Sequence, residues 1–336
     1  MGSQFVDINA DGHLDYISAT FDGSAHISYG SKDGFSGPEL VNDAAKERLL
    51  VSSFWNYDAE EHQDTGRSMQ DGKATGERCI SALGFDWDND GDYDLLLGTY
   101  EGGHLYRQMN EGSKTEPKFT GMNIPVMAGE VAFALPAKMT TPKLVDWDAD
   151  GDLDLIAGTY SDPYSQEGEG GGIYLSLNQG KVGAPSFGAL KALIAPEERG
   201  GSEPQRPDVG LYPDVMDYDG DGDLDLVAGG YSMWTPKGRE LNAKEEARAA
   251  ELTATLEKLH KESNAVWDKI SAEIQKKTAK LDPESDEHEE MVDSIYDKYQ
   301  SENEASREAI SAAQEELQEL IPQAQKRSFV WLYERI

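Results

Sequence analysis

The sequence predicts an all-β protein. The architecture expected is a β-propeller of four-stranded antiparallel blades, at least four repeats and open to a larger ring, with a long antiparallel α-helical hairpin inserted in the last blade. Three observations predict it. A nine-residue acidic pattern recurs four times, in "FVDINADGHLDYISATF" from Phe5, "GFDWDNDGDYDLLLGTY" from Gly84, "LVDWDADGDLDLIAGTY" from Leu144 and "VMDYDGDGDLDLVAGGY" from Val215. Each pattern lies between short apolar runs of strand length. The fourth repeat is broken by about 90 polar residues with helical spacing, and such internal periodicity is read before any single element.

Within a repeat the elements follow in order. An apolar, β-branched or aromatic stretch such as "PKLVDW" leads into the acidic loop. A run such as "YDLLLGT", "LDLIAGT" or "LDLVAGG" leaves it, bounded by Gly. A second alternating run comes next, "AHISYGSKDG", "GHLYRQMNEG" or "GIYLSLNQG", ending in turn residues. After two of these, "PKFTG" and "PSFGALKALI" supply an outer strand. Strand, acidic loop, strand, turn, strand and outer strand make one antiparallel blade, the unit that a propeller repeats radially.

In the fourth repeat the chain turns helical after "AGGYSMW", and "RSFVWLYERI" at the end matches the missing strand. The predicted organisation is therefore 1–237 as repeats with acidic loops, 238–327 as a coiled-coil hairpin insertion and 328–336 as a closing strand. From Leu241 the apolar positions are Leu252, Leu256, Leu259, Val266, Ile270, Ile274 and Leu281, then Val292, Ile295, Tyr299, Ala309, Ala313, Leu317 and Leu320. Their 3-4 spacing gives each helix one narrow seam, which an antiparallel partner buries. Asp282 is expected to cap the second helix with Pro283 at its first position, and Pro322 to mark its end. Two helices of about 40 residues would each span roughly 60 Å.

Asp and Glu total 64 against 30 Lys and Arg, a formal net charge of −34. This balance disfavours nucleic acid or an anionic membrane surface as the main partner and fits bound cations. One cysteine, Cys79, excludes an intrachain disulfide framework. No run reaches the ~20 apolar residues of a membrane span, so membrane insertion is not expected. "MGSQF" opens almost directly into the first repeat without a signal peptide, which suits a replaced leader or a piece of a longer chain.

Carboxylates at alternate positions of a tight loop repel one another unless a cation lies between them. Loop positions 1, 3, 5 and 9 are Asp86, Asp88, Asp90 and Asp94; Asp146, Asp148, Asp150 and Asp154; and Asp217, Asp219, Asp221 and Asp225. The first loop has Asp7, Asn9, Asp11 and Asp15, one carboxylate fewer, and is expected to bind more weakly. Position 6 is always Gly, which allows a sharp turn. Position 7, His13, Asp92, Asp152 or Asp223, is expected to offer its backbone carbonyl. Several hard oxygens with this charge suit Ca2+, about four ions in all, better than Mg2+. An EF-hand is excluded, because position 12 is Ser18, Leu97, Ala157 or Ala228 in place of a bidentate Glu.

The D-x-D-x-D-G-x-x-D loop followed by "DLLLGTY" or "DLIAGTY" resembles the FG-GAP or VCBS repeat of β-propellers, found in integrin α-subunit heads and many secreted bacterial proteins. The resemblance covers everything outside the helical insertion. It implies calcium at the loop residues just named and implies no particular catalytic activity. Family propellers usually have about seven blades, against four motifs here.

The aromatic residue at position 2 (Trp87, Trp147, Tyr218) is expected to pack between blades. Binding residues are expected where repeats differ, in the loops 56–78 and 161–172, with His62, Arg67, Arg78, Tyr164 and Trp234 in or beside them. No G-x-S-x-G, HExxH or P-loop is present, and the six histidines (His13, His26, His62, His104, His260, His288) lack ligand spacing. The expected function is a non-catalytic, calcium-binding extracellular or periplasmic module for a protein or carbohydrate partner. The helical arm, near its tip at 282–288 or along one flank, would dock that partner or a second copy. The alternative is a polysaccharide lyase or hydrolase whose site is built from face loops.

Overall fold

The acidic repeats dictate the strand order of the computed structural model, which describes residues 2–57, 59–65, 69–70, 73–74, 76–162, 169–198, 203–282 and 285–335. The chain is mostly β, in many small sheets, with two helices that form a hairpin. It divides into a sheet unit, Met1–Trp234 with Lys326–Ile336, and a helical unit, Thr235–Gln325.

Four principal sheets follow the four repeats. The first runs Ser3–Val6, Asp15–Ala19, Ala25–Ser28 and Glu39–Leu40. The second runs Cys79–Phe85, Asp94–Thr99, Leu105–Gln108 and Ile124–Pro125. The third runs Lys138–Val145, Asp154–Tyr160, Ile173–Ser176 and Lys191–Ile194. The fourth has three strands, Val209–Met216, Asp225–Trp234 and Gln325–Tyr333. The C-terminal segment thus completes the interrupted repeat, but the expected fourth strand of that blade is absent among the described residues.

The outer strand of the second sheet also differs from expectation. "PKFTG" forms no strand there; Phe119 is buried in a core cluster and makes isolated bridges to Asp43 and Asn110. The outer strand is Ile124–Pro125, paired with Tyr106 and Arg107. A buried aromatic anchor overrides strand propensity in that stretch. In the third repeat the strand does fall within "PSFGALKALI", while Phe187 of that segment is buried.

Side-chain alternation fixes what each sheet packs against. On the strand after each loop, position 11 faces the following sheet and positions 10 and 12 face the preceding one. Ile17 and Ala19 of the first sheet share a cluster with Leu95 and Leu97 of the second. Leu96 of the second shares one with Leu155 and Ala157 of the third. Ile156 of the third packs with Leu226 and Ala228 of the fourth. The core is therefore three apolar layers that join four sheets in series. Among the described residues no cluster joins the first sheet to the fourth, so closure into a ring is not seen.

Position 2 obeys the same rule. Ile8 and Trp87 are buried in the layers ahead of them, and Trp147 packs against the third layer. Tyr218 does not pack between sheets as expected; it is 59% exposed. Its position points forward from the fourth sheet, which no further sheet covers among the described residues.

The helical unit contains α1, Ala243–Thr278, and α2, Asp286–Leu320, of 36 and 35 residues, somewhat shorter than the 40 expected. Asn242 caps α1 in a capping box, accepting from the Lys244 and Glu245 N–H groups while Glu245 Oε2 accepts from the Asn242 N–H. Arg239 grips the same Glu245 carboxylate with two bonds of 2.9 and 2.8 Å. The α2 cap is Ser285, not Asp282; its hydroxyl accepts from the His288 N–H, and the Asp282 carbonyl accepts from Ser285. Pro283 lies outside the described residues. Two clusters hold the pair together, Leu252 with Ala313 and Leu317, and Val266 with Ile270 and Ile295. Ala309, expected in the seam, is exposed; Ile310 beside it is the half-buried residue.

Candidate metal centre

Each acidic loop spans a closed gap in an antiparallel pair. The strands meet at Val6–Asp15, Phe85–Asp94, Val145–Asp154 and Met216–Asp225. Returning the chain across so short a connection requires two left-handed residues. Position 6 supplies one, with φ of 90° at Gly12, 94° at Gly91, 96° at Gly151 and 99° at Gly222. Position 4 supplies the other: Ala10 (52°), Asn89 (60°), Ala149 (61°) and Gly220 (80°). Three of these four carry a Cβ in a conformation that favours glycine, so the loop backbone is held against its local preference.

The carboxylates hold it. Asp86 accepts the N–H groups of Asp90 (3.1 Å) and Gly91 (3.2 Å), and Asp7 those of Asp11 and Gly12, both at 3.0 Å. Asp146 accepts from Gly151, and Asp217 from Gly220. The position 5 carboxylate accepts the position 7 N–H in all four loops, at 2.9 to 3.1 Å.

Position 9 has a second duty that the sequence pattern does not reveal. Asp94 is 2% exposed and both its oxygens accept backbone N–H groups, from Trp87 at 2.9 Å and Asn110 at 2.7 Å. Asp154 receives Trp147 and Asn178, Asp225 receives Tyr218 and Arg335, and Asp15 receives Ile8 and Gly30. This residue ties the loop to the end of the third strand. Each oxygen keeps a lone pair that a cation could share.

Carboxylate oxygens converge in three places, with all ligand atoms of a group within 4.8 Å of one another: Asp86, Asp88 and Asp90; Asp146, Asp148 and Asp154; and Asp217, Asp219 and Asp225. Asp94, Asp150 and Asp221 remain in their loops but outside these tight groups. In the first loop Asp7, Asp11 and Asp15 form no such group among the described residues, and Asn9 turns its amide onto Asp11 at 3.3 Å. His13 is exposed on that loop.

The donor set fits a hard divalent cation. The Oδ1 atoms of Asp92, Asp152 and Asp223, all at position 7, are buried with no hydrogen-bond partner, as is Oδ1 of Asp146. Buried acceptors without a donor are rare and costly, and here they recur at one loop position. Sequence reasoning credited position 7 with its carbonyl alone; its side chain carries the orphaned oxygen. Burial pushes the Asp92 carboxyl above the usual range, and Asp90 and Asp88 add to it. Asp152 rises through burial and the charges of Asp150, Asp154 and Asp148, and Asp223 through burial and Asp221. Asp94 is pushed up to about 6, mainly by burial, despite its two N–H donors. A divalent cation among these oxygens would reverse the crowding.

Outside the loops, the irregular segments give mixed results. Part of 56–78 is ordered as a strand pair, Ser53–Asn56 with Glu61–Asp64, and His62 stacks edge-on against Trp55 at 4.9 Å. Arg78 is spent on Glu101 at 2.6 Å and lies over the Tyr100 ring. Trp234 lines a cleft with Arg206 and Trp331. Arg67 and Tyr164 lie outside the described residues. The pairing of His104 Nδ1 with Glu77 at 2.5 Å, joined by the Tyr106 hydroxyl at 3.2 Å, left no trace in histidine spacing; both Glu77 oxygens are engaged in a buried setting.

Residues 86–157 match the FG-GAP-like repeat family. The matched segment starts at position 1 of the second loop and ends on the strand that leaves the third, so it spans both loops and the sheet strands between them. No curated protein matches the chain.

Proposed function

We propose that this FG-GAP-like repeat chain is a calcium-stabilised extracellular or periplasmic interaction module without catalytic activity of its own. The observation that carries the reading is the recurrence of converged aspartates and orphaned position 7 oxygens in three loops. Residues 86, 88, 90, 92 and 94, with their counterparts at 146–154 and 217–225, would hold the ions. Oxygen-only donors with several formal charges suit Ca2+, and loops of modest affinity work where calcium is millimolar, outside the cell. The first loop, poorer by one carboxylate, would fill last.

In this reading the four sheets are blades of a propeller, stacked through the three apolar layers. The calcium loops pin the first and second strands of each blade. No helix among the described residues is long and apolar enough to cross a membrane, and a protein or carbohydrate partner is expected at the loops or on the helical arm.

The test is a thermal melt in millimolar calcium and again in chelator. Ligand that binds only the native state adds RT ln(1 + [L]/Kd), about 2.7 kcal/mol per site at a hundredfold excess over Kd, so calcium should raise the midpoint by several degrees. Coincident midpoints would overturn the reading. For the arm, replacing 235–325 by a short turn should keep the calcium response and abolish partner capture or self-assembly. Unchanged assembly and binding would remove the arm from the proposal.

A further inference from the structure

A cleft of about 510 Å³ opens between the second and third sheets, beside the second acidic loop. Its walls are Trp87, Met109, Pro125, Met127 and Phe187, and Arg107 is the one cation among its lining residues. The volume lies within the range of small-ligand sites, which are mostly apolar with a few placed polar groups.

Arg107 is out of keeping with its repeat. Its place in the third strand, opposite position 11, is held by Ile27 in the first sheet and Leu175 in the third. Both of those are buried apolar residues in the layer between sheets. A guanidinium at this point loses hydration, and burial pulls its pKa below the usual arginine value. The other described arginines of the sheet unit, Arg48, Arg78, Arg206, Arg327 and Arg335, each have a carboxylate oxygen within 3.9 Å. Arg107 has no ion pair and no side-chain hydrogen bond among the described residues. It rests on the face of Trp87, 4.5 Å from the ring centre. In a chain of net charge −34, a half-buried cation with no carboxylate in ion-pair contact is a conspicuous exception; Asp94 and Asp88 act on it only through their charge, and a buried charge calls for a direct partner.

The cleft is also bounded. Gly183 carries the opposite turn so close to the Asp88 carbonyl that a Cβ there would meet that oxygen at 2.7 Å. Trp87 is fixed by Phe187, with ring centres 6.1 Å apart, and Met127, 45% exposed, stands at the mouth. Methionine adapts to ligands of varied outline. Asp88 on the same wall disfavours a second negative charge.

We propose that this cleft binds a small monoanionic ligand with a flat apolar body, an aryl carboxylate. The carboxylate pairs with the Arg107 guanidinium in its bidentate geometry, and the body lies against Trp87, Met109 and Phe187. This site borders the second acidic loop through Trp87 and Asp88, but the pairing with Arg107 does not depend on the calcium reading.

The test uses the full chain and two probes, 2-naphthoate and its neutral isostere 2-naphthamide, titrated by calorimetry and by tryptophan fluorescence in calcium-containing buffer. Naphthoate should bind saturably, at least about tenfold tighter than the amide, the discrimination expected of a charge-assisted pair. Arg107→Leu, which installs the residue that the third repeat already carries, should keep or raise the melting temperature and weaken naphthoate at least about tenfold while sparing the amide. Three results would each overturn the site: no saturable naphthoate binding to the native chain, equal binding of acid and amide, or undiminished naphthoate binding to R107L. The acid-to-amide comparison stands on the native chain alone, so a poorly folded variant does not rescue the idea.

Discussion

At the scale of single residues, the convergence of carboxylates in the last three loops was legible because the pattern repeats: Asp at 1, 3, 5, 7 and 9 with Gly at 6 has few physical meanings. The second duty of position 9 was not legible, because the N–H that Asp94 receives from Asn110 comes from the far end of another strand. The exceptional Arg107 was written in the sequence, but it shows only once the third strands are aligned on Ile27 and Leu175. Crowding in the loops predicts how the calcium-free protein responds to pH. Asp94 titrates near 6 in the folded chain, against about 3.9 when unfolded, and Asp92, Asp152, Asp154 and Asp223 are raised as well. Between those limits the folded state holds more protons than the unfolded, so stability falls as pH rises. His104, raised by its hydrogen bond to Glu77, acts in the same sense: its contribution is full below about 6.5 and is lost as pH climbs through the raised value. In chelator, the melting temperature should therefore be higher at pH 5 than at pH 7. Asp22, brought down to about 2 by His26, Thr20 and the Ser24 N–H against the effect of burial, keeps its contribution throughout that window. A midpoint that rises steadily from pH 5 to 7 in chelator would contradict the crowding argument.

At the scale of elements, periodicity located both helices and the strands flanking every loop, because apolar spacing is a property of one segment alone. It failed where a neighbour decides. Phe119 reads as a strand residue but serves as a core plug, so the outer strand moves to Ile124–Pro125. The start of α2 is the sharper case. "LDPES" offers two capping residues, Asp282 and Ser285, and an Asp followed by Pro is a sound sequence signal. The chain chooses Ser285, whose hydroxyl faces the His288 N–H, while the Asp282 carbonyl closes a turn onto Ser285. The helix then opens with Asp286, Glu287 and Glu289, which complement the positive end of its dipole. Ser285→Ala should consequently cost about 1 kcal/mol of the hairpin's stability, read by circular dichroism of the full chain in denaturant. Asp282→Ala keeps the Ser285 hydroxyl on the His288 N–H and should leave the first turn of α2 protected in hydrogen exchange, which Ser285→Ala should not. Loss of that protection in D282A alone would restore Asp282 as the cap.

At the scale of the whole sheet unit, four repeats that look alike in sequence do not share one environment. In the two middle sheets the strand after the loop is buried on both faces, with Leu95, Leu96, Leu97, Leu155, Ile156 and Ala157 all inaccessible. In the first sheet Tyr16 and Ser18, at the positions of Leu95 and Leu97, are only half-buried, and Phe5 opposite Tyr16 is 59% exposed. In the fourth sheet Val227 is half-buried where Leu96 and Ile156 are covered, and Met216 on the same face is exposed. The sequence anticipates part of this: Tyr and Ser replace Leu on the free face of the first sheet, whereas Tyr218 looks equivalent to Trp87 and only the missing neighbour separates them. Local opening costs least where few apolar contacts must be broken. Hydrogen exchange followed by mass spectrometry should find peptides across Asp94–Thr99 and Asp154–Tyr160 the slowest, at least about tenfold slower than those across Asp15–Ala19 and Asp225–Trp234, a gap of about 1.4 kcal/mol in opening free energy. Because strand pairing and loop type are common to all four repeats, the difference isolates the apolar layer that each end sheet lacks. Equal protection in all four would mean that the end faces are covered in solution and that the open series of sheets is completed there.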